Sequence, residues 1–265
     1  MDIPFDLLNI VASFMVKPRM KLLDWIPEDK LEWIGLSKNP NALHLLEQNP
    51  DKIYWHSLSQ NPNAIHLLEK HLDKINWEYL SENPKALQIL AENPDKIDWY
   101  YLSKNPNAIH ILEKKKNRHK ITWSFLSKNP NATHLLEKYP KKIQWEYLSA
   151  NPQALHLLEK YPEKIIWHRL SENPNALHLL EKYPDRISWD NLSMNPKAIH
   201  LLEKNPKEID WDLLINNPNA IHLLKANSEK IDWFEFSSNP SIFEIDIKQT
   251  KIYTMKKAKN IDFYK

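Results

Sequence analysis

Eight histidines hold one position of a repeating pattern: His44, His66, His110, His134, His156, His178, His200 and His222, with Gln88 in that place once. Imidazole is both a metal ligand and a general base near neutral pH, so a metal row is the first chemistry to weigh. A zinc ion needs ligand nitrogens at ~2.0–2.1 Å. Stacked helices lie ~8–10 Å apart, and one histidine per helix leaves neighbours poorly placed to share an ion. The expectation is a hydrogen bond to the backbone or loop of the adjacent unit, or plain solvation, with no metal and no cofactor. Catalysis finds as little support. Cysteine is absent and Gly35 is the sole glycine. That excludes a thiol nucleophile and any glycine-rich phosphate loop. Neither GxSxG nor HExxH occurs, and the carboxylates are periodic. The chain is expected not to be an enzyme.

What varies while the frame repeats is more informative. Two residues after each repeated tryptophan stand Ser57, Tyr79, Tyr101, Phe125, Tyr147, Arg169, Asn191, Leu213 and Glu235. At ~100° per residue these side chains point away from the tryptophan. Tyr79, Tyr101, Phe125 and Tyr147 form a consecutive aromatic stripe, with Arg169 next, and these five are the candidate partner-binding residues. A second candidate is the basic segment with Lys114, Lys115, Lys116 and Arg118. It reads either as a contact for phosphate or an acidic partner, or as a solvated loop.

The elements that must position these residues follow from a strict period. Tryptophan recurs at 33, 55, 77, 99, 123, 145, 167, 189, 211 and 233, and Asn-Pro follows each one. The step is 22 residues, except for 24 between Trp99 and Trp123. Such a period marks a solenoid whose units cannot bury their apolar faces alone. Within a unit, Asp98 is placed to cap a short helix from Trp99, as are Asn76, Thr122, Ser188, Asp210 and Asp232. Asn105-Pro106 ends that helix and opens a second one, with proline at its first position. Ala108, Ile109, Ile111 and Leu112 then share one face. The tryptophans are expected in the core. The predicted fold is all-α: a right-handed α/α or α/3₁₀ solenoid of about ten short two-helix repeats, capped at both ends.

Three segments follow. Residues 1–19 form an N-terminal helix. Residues 20–240 are the array, starting with a degenerate unit in which Leu22-Leu23 replace the usual leucine pair. Residues 241–265 form a C-terminal cap and basic tail, with Ile242, Phe243, Ile245 and Ile247 sealing the last unit. Lys plus Arg is 36 against 34 Asp plus Glu, a net charge of +2. No general drive towards nucleic acid follows from that balance. No stretch approaches the ~20 apolar residues of a membrane span, and the N-terminus reads as mature sequence. A monomer in a reducing, intracellular (cytoplasmic) setting is expected.

Units of the type LSKNPNAIHLLEK resemble the leucine-rich variant repeat, an α/3₁₀ solenoid. More closely, over about residues 20–240, they are similar to tandem repeats in proteins of giant DNA viruses of amoebae, which implies a solenoid and a viral origin inside a host cell. Residues 3–15 are similar to the opening of an F-box, through Pro4, Leu7, Leu8, Val11 and Phe14. F-boxes dock on the Skp-type adaptor of cullin ubiquitin ligases. This segment is either a plain cap or such a docking element. The function expected is a non-enzymatic protein–protein interaction scaffold, with a viral substrate adaptor for a host cullin ligase as its specific form. The alternative is a modular binder of single-stranded RNA, with the aromatic stripe stacking one base per unit.

Overall fold

The computed structural model describes residues 18–252, and the F-box-like residues Pro4 to Phe14 lie outside that range. The chain forms the expected all-α tandem array, with little strand. In the unit of Trp77, a first helix Trp77–Glu82 and a second helix Leu87–Glu92 are followed by a 3₁₀ turn, Pro94–Lys96. Pro94 stands at the first position of that turn, which carries the chain into the next unit. In the units of Trp99 and Trp123 the Asn-Pro pair opens the second helix as expected. There Asn105 and Asn129 cap 3₁₀ turns, Pro106–Ala108 and Pro130–Ala132, that run straight into Ile109–Leu112 and Thr133–Lys138. In the unit of Trp77 the pair does not. In this unit the helix starts three residues after Pro84, with Ala86 as its N-cap. The asparagine instead bends the chain, and Asn83 Oδ1 accepts the Lys85 N–H at 3.0 Å. Of the expected caps on the first helix, Asn76, Asp98, Asp210 and Asp232 accept a backbone N–H. Thr122 and Ser188 make no side-chain cap.

The core is built from one leucine in each helix and one alanine between them. Leu102, Ala108 and Leu112 are fully buried, as are their counterparts along the array. Alanine at this position lets neighbouring units approach closely. The tryptophans are half-buried rather than in the core, where their edges pack against it. Their other contact is the 3₁₀ turn. A lysine ammonium lies 4.7 Å from the Trp33 ring (Lys52), 4.6 Å from Trp55 (Lys74) and 4.0 Å from Trp211 (Lys230), within cation–π range. In three units a tyrosine packs edge-on instead, as Tyr139 does on Trp123 at 5.5 Å.

Two buried polar ladders lock the units together. Each Asn-Pro asparagine donates both amide hydrogens to the preceding unit. Asn105 Nδ2 reaches the carbonyls of Ser81 at 3.0 Å and Asn83 at 2.8 Å. In nine of the ten units a serine hydroxyl at the repeat position accepts the N–H of the next unit's cap residue. Eight of these, from Ser59 on, also donate to their own tryptophan carbonyl. Ser81 Oγ donates to Trp77 O at 2.8 Å and accepts from Asp98 N at 3.0 Å. Ile215 interrupts the serine ladder once. A buried amide with every hydrogen-bonding group matched is a strong register device, because any slip orphans it.

The ladders have no ends. Asn39, in the first unit, donates to Ser237 O at 3.1 Å and Asn239 O at 2.9 Å. Ser237 Oγ accepts the Glu32 N–H at 2.8 Å, and Asn41 Nδ2 reaches Pro240 O at 2.8 Å as Asn63 reaches Pro40. The Lys30 ammonium covers Trp233 at 5.3 Å. The asparagine and serine ladders and the lysine–tryptophan contact that join neighbours along the chain are therefore repeated between the last unit and the first. The array is a closed ring of ten units, not an open solenoid with capped ends.

The tenth unit is composite. After Asn239-Pro240 a 3₁₀ turn, Pro240–Ile242, leads into a strand where other units have their second helix. Strand β2, Phe243–Ile245, pairs antiparallel with β1, Met20–Leu22, with Lys21 opposite Glu244. Of the residues expected as a leucine pair, Leu22 thus ends a strand and Leu23 follows it. The N-terminal 3₁₀ turn Glu28–Lys30 then completes the unit, and Trp25 packs on Trp233 and Phe236 at 6.4 and 6.2 Å. Ile242 and Phe243 are buried in this clasp, whereas Ile245 and Ile247 are exposed. Lys21 donates to Glu244 at 2.8 Å, and that bond holds its ammonium above the usual lysine range.

His44 meets the clasp edge-on, 5.9 Å from Phe243. Burial, then the positive charge of Arg19, hold its pKa below the ordinary histidine value, with Glu47 and the Asn41 backbone opposing. A depressed folded pKa means the opened clasp takes up the proton first. The clasp has its full stability above the unfolded value of ~6.5 and loses it as pH falls through the lower folded value. The hydrogen-exchange protection of residues 20–23, taken relative to the unstructured chain at each pH, is therefore expected to fall between about pH 7 and about pH 5, and less so in His44→Gln.

Candidate functional site

At most junctions successive first helices pack directly on one another, while second helices touch their neighbours more sparsely. The first helices thus form the tighter, inner circle. Ten units at the usual ~8–10 Å separation place the inner helix axes ~13–16 Å from the centre. Residues two and five places after the tryptophans line this concave wall from Lys38 to Tyr147. The i,i+3 relation puts them on one helix face.

The wall is not uniform. Tyr79 and Tyr101 meet edge-to-face at 5.9 Å, and Phe125 and Tyr147 at 6.1 Å. Tyr100 bridges the gap, 5.3 Å from Tyr101 and 4.3 Å from Phe125. The four rings picked out by their repeat position are thus brought together as one continuous stripe, half-buried throughout. Burial, followed by the charge of Glu78, pushes the Tyr101 phenol above its usual range. Arg169 follows in the same row but binds Glu172 on its own helix, and makes no ring contact among the described residues.

Sequence reasoning missed the neighbouring row. Lys104 holds Glu82 at 3.2 Å, and its ammonium lies 4.8 Å from the Tyr101 ring and 4.6 Å from Phe125. On either side of this pair the wall is hollowed. A depression of about 310 Å³ has Lys38, Gln60, Tyr79, Glu82 and Lys104 in its lining. A second, about 340 Å³, is lined by Glu82, Lys104, Phe125, Lys128, Asn129 and Tyr147. The first draws on four consecutive units, which only a concave surface allows. Three residues separate Tyr101 from Lys104 and Phe125 from Lys128, and that spacing was the available signal.

The basic segment does not join this surface. Its two-residue insertion is absorbed by a longer 3₁₀ helix, Lys115–Lys120, in which buried Asn117 donates to Ile111 O at 2.9 Å. Lys114, Lys115, Lys116 and Arg118 are exposed. Lys120 covers Trp99 at 4.2 Å, and the Arg118 guanidinium lies 5.8 Å from Tyr139. None of these residues lines either hollow.

The histidines meet side chains of the preceding unit. His66 pairs with Glu47 at 3.0 Å, His156 with Glu137 at 2.9 Å, His178 with Glu159 at 3.3 Å, His200 with Glu181 at 3.4 Å and His222 with Glu203 at 2.9 Å; His134 pairs closely with Glu113. These histidines are about half exposed, in keeping with the solvation expected, and where they bond to the adjacent unit the partner is a carboxylate and not a backbone group. At His110 the place of the glutamate is taken by Ala91. Such exposed pairs contribute ~0–1 kcal/mol each. Among the described residues, no three His, Asp or Glu side chains converge as a metal site, and no helix is long and apolar enough to cross a membrane. Comparison with protein-family models, with curated proteins and with solved structures gave no match.

Proposed function

We propose that the ring is a non-enzymatic scaffold that binds a protein segment on its inner wall, across Tyr79, Tyr101, Phe125 and Tyr147. One observation carries the reading: four consecutive aromatics form an unbroken, half-exposed stripe on a rigid concave frame. Aromatic side chains supply large contact area at low entropic cost and dominate the energetics of protein interfaces. The same geometry weighs against one RNA base per unit. Neighbouring rings stand at 84° and 81° to each other, so successive bases could not stack in parallel on them.

The test is a peptide-display selection on the immobilised full chain, repeated on a Tyr101→Ser/Phe125→Ser variant. Selected peptides should lose at least ~10-fold in affinity on the variant, the loss typical of removing two central anchors, with its unfolding transition retained. Peptides that bind both proteins equally would move the site elsewhere.

In the finer form of this reading, residues 1–17 bring in a Skp-type adaptor and the ring holds the ligase substrate. The support is the F-box-like pattern of Pro4, Leu7, Leu8, Val11 and Phe14. In addition, residues 20–31 and 240–245 already join the ends of the array, so no terminal unit needs a separate cap. A purified Skp-type adaptor should bind the full chain and not a chain starting at residue 18. Equal binding by the two would discard the adaptor role.

A further inference from the structure

The stripe has two edges of opposite charge. Along the edge five residues after the tryptophans stand Lys38, Lys104 and Lys128, with Glu82 and Glu172. Both carboxylates are taken, by Lys104 and Arg169. Lys38 and Lys128 are exposed and make no ion pair among the described residues. They sit at the far sides of the two hollows, with the Lys104–Glu82 pair as the ridge between. Along the other edge, one residue after the tryptophans, the charged residues are acidic: Glu78, Glu146, Asp190 and Asp212.

We infer that the segment bound on the inner wall is acidic, carrying carboxylates that enter the two hollows beside apolar side chains that cover the rings. This rests on the reading of the stripe as a peptide site and names the chemistry of its partner. Each hollow offers an ammonium that makes no ion pair among the described residues, its one carboxylate, Glu82, being held by Lys104, next to an aromatic floor: Lys38 beside Tyr79 in one, Lys128 beside Phe125 and Tyr147 in the other. A carboxylate placed there gains a pair without breaking the Lys104–Glu82 one. A basic side chain in the same place would meet the three lysines, and like charges at an interface suppress the wrong partner. The acidic edge at Glu78 and Glu146 sets the lie of the segment, with its carboxylates towards the Asn-Pro turns.

The experiment measures fluorescence anisotropy of three labelled peptides with the full chain at low salt. All three alternate with Phe and Leu: one carries Asp and Glu, one Lys and Arg, one Ser and Gln. A single-stranded oligouridylate is the fourth probe. The acidic peptide should bind about tenfold more tightly than the other two, the scale of two or three part-exposed pairs. Raising the salt should shrink that margin. Lys38→Glu/Lys128→Glu, at two exposed positions with no structural partner, should reverse the preference and leave folding intact. Tyr101→Ser should weaken all three peptides. If the neutral or basic peptide binds as well as the acidic one, and Tyr101→Ser weakens it, the peptide site stands and its acidic preference is overturned. If no peptide binding responds to Tyr101→Ser, or the oligonucleotide binds more tightly than every peptide, the peptide site itself is overturned.

Discussion

Replacing Asn129 by alanine should cost the ring about 3 kcal/mol, and replacing it by aspartate should cost more, although aspartate is nearly the same shape. Asn129 is buried, donating to Ser103 O at 3.1 Å and Asn105 O at 3.0 Å and accepting from Asn131 N at 3.0 Å. Alanine strands the Ser103 carbonyl, takes one of two partners from Asn105 O, and frees an N–H near solvent. Aspartate keeps the acceptor but points a carboxylate oxygen at two carbonyl oxygens inside the protein. That penalty should ease in acid, when the carboxyl gains a proton to donate. Urea midpoints at neutral and acid pH read both effects. An Asp variant no worse than the Ala variant at neutral pH would mean that this amide does not use both of its hydrogens.

The second large effect concerns the single glycine. A Cβ on Gly35 would lie 2.7 Å from Ser237 Cβ and 3.1 Å from the Ser237 and Ser238 backbone. Other units carry Tyr, Phe or Arg at this position without difficulty, so the restriction belongs to the closing junction. Gly35→Ala gains up to ~1 kcal/mol of helix propensity but meets root atoms that cannot swing away. Overpacking of this kind costs ~1–3 kcal/mol, and Gly35→Leu should lie at the upper end. Because the helix of Trp233 is joined to the first unit only through the non-covalent β1–β2 clasp, the ring should open there while the other junctions persist. Hydrogen exchange should accelerate at residues 20–45 and 233–245 and stay unchanged near Asn129. Ser57→Ala, at the same position one unit along, is the control and should stay within ~0.5 kcal/mol.

Local structure was largely legible from the residues. The 22-residue period, the Leu–Ala–Leu core and four of the six proposed caps follow from spacing and capping chemistry. The tryptophans were misplaced because their size suggests burial, whereas lysines and tyrosines of the 3₁₀ turn share the work of covering them. Closure was not legible. Each junction sets a small angle between units, and whether ten such angles sum to a full turn is a geometric property that no single repeat displays. Gly35 was the local trace of it, visible as an exception but without a partner to explain it. The four aromatics could be picked out because they interrupt a variable column. Lys38, Lys104 and Lys128 could not, since lysine on an exposed helix face is ordinary until the opposing units show what it borders.

The central claim is that the array closes on itself through β1 and β2. Lys21 and Glu244 stand opposite each other in that pairing. The chain has no cysteine, so nitroxide labels can be placed on Lys21→Cys/Glu244→Cys alone and their separation measured by pulsed electron paramagnetic resonance. Opposed positions on paired strands have Cβ atoms ~5 Å apart, and the labels should give one narrow distribution within ~20 Å. An open array of ten units at ~8–10 Å each would separate them by several tens of ångströms. A broad distribution centred there would contradict the ring.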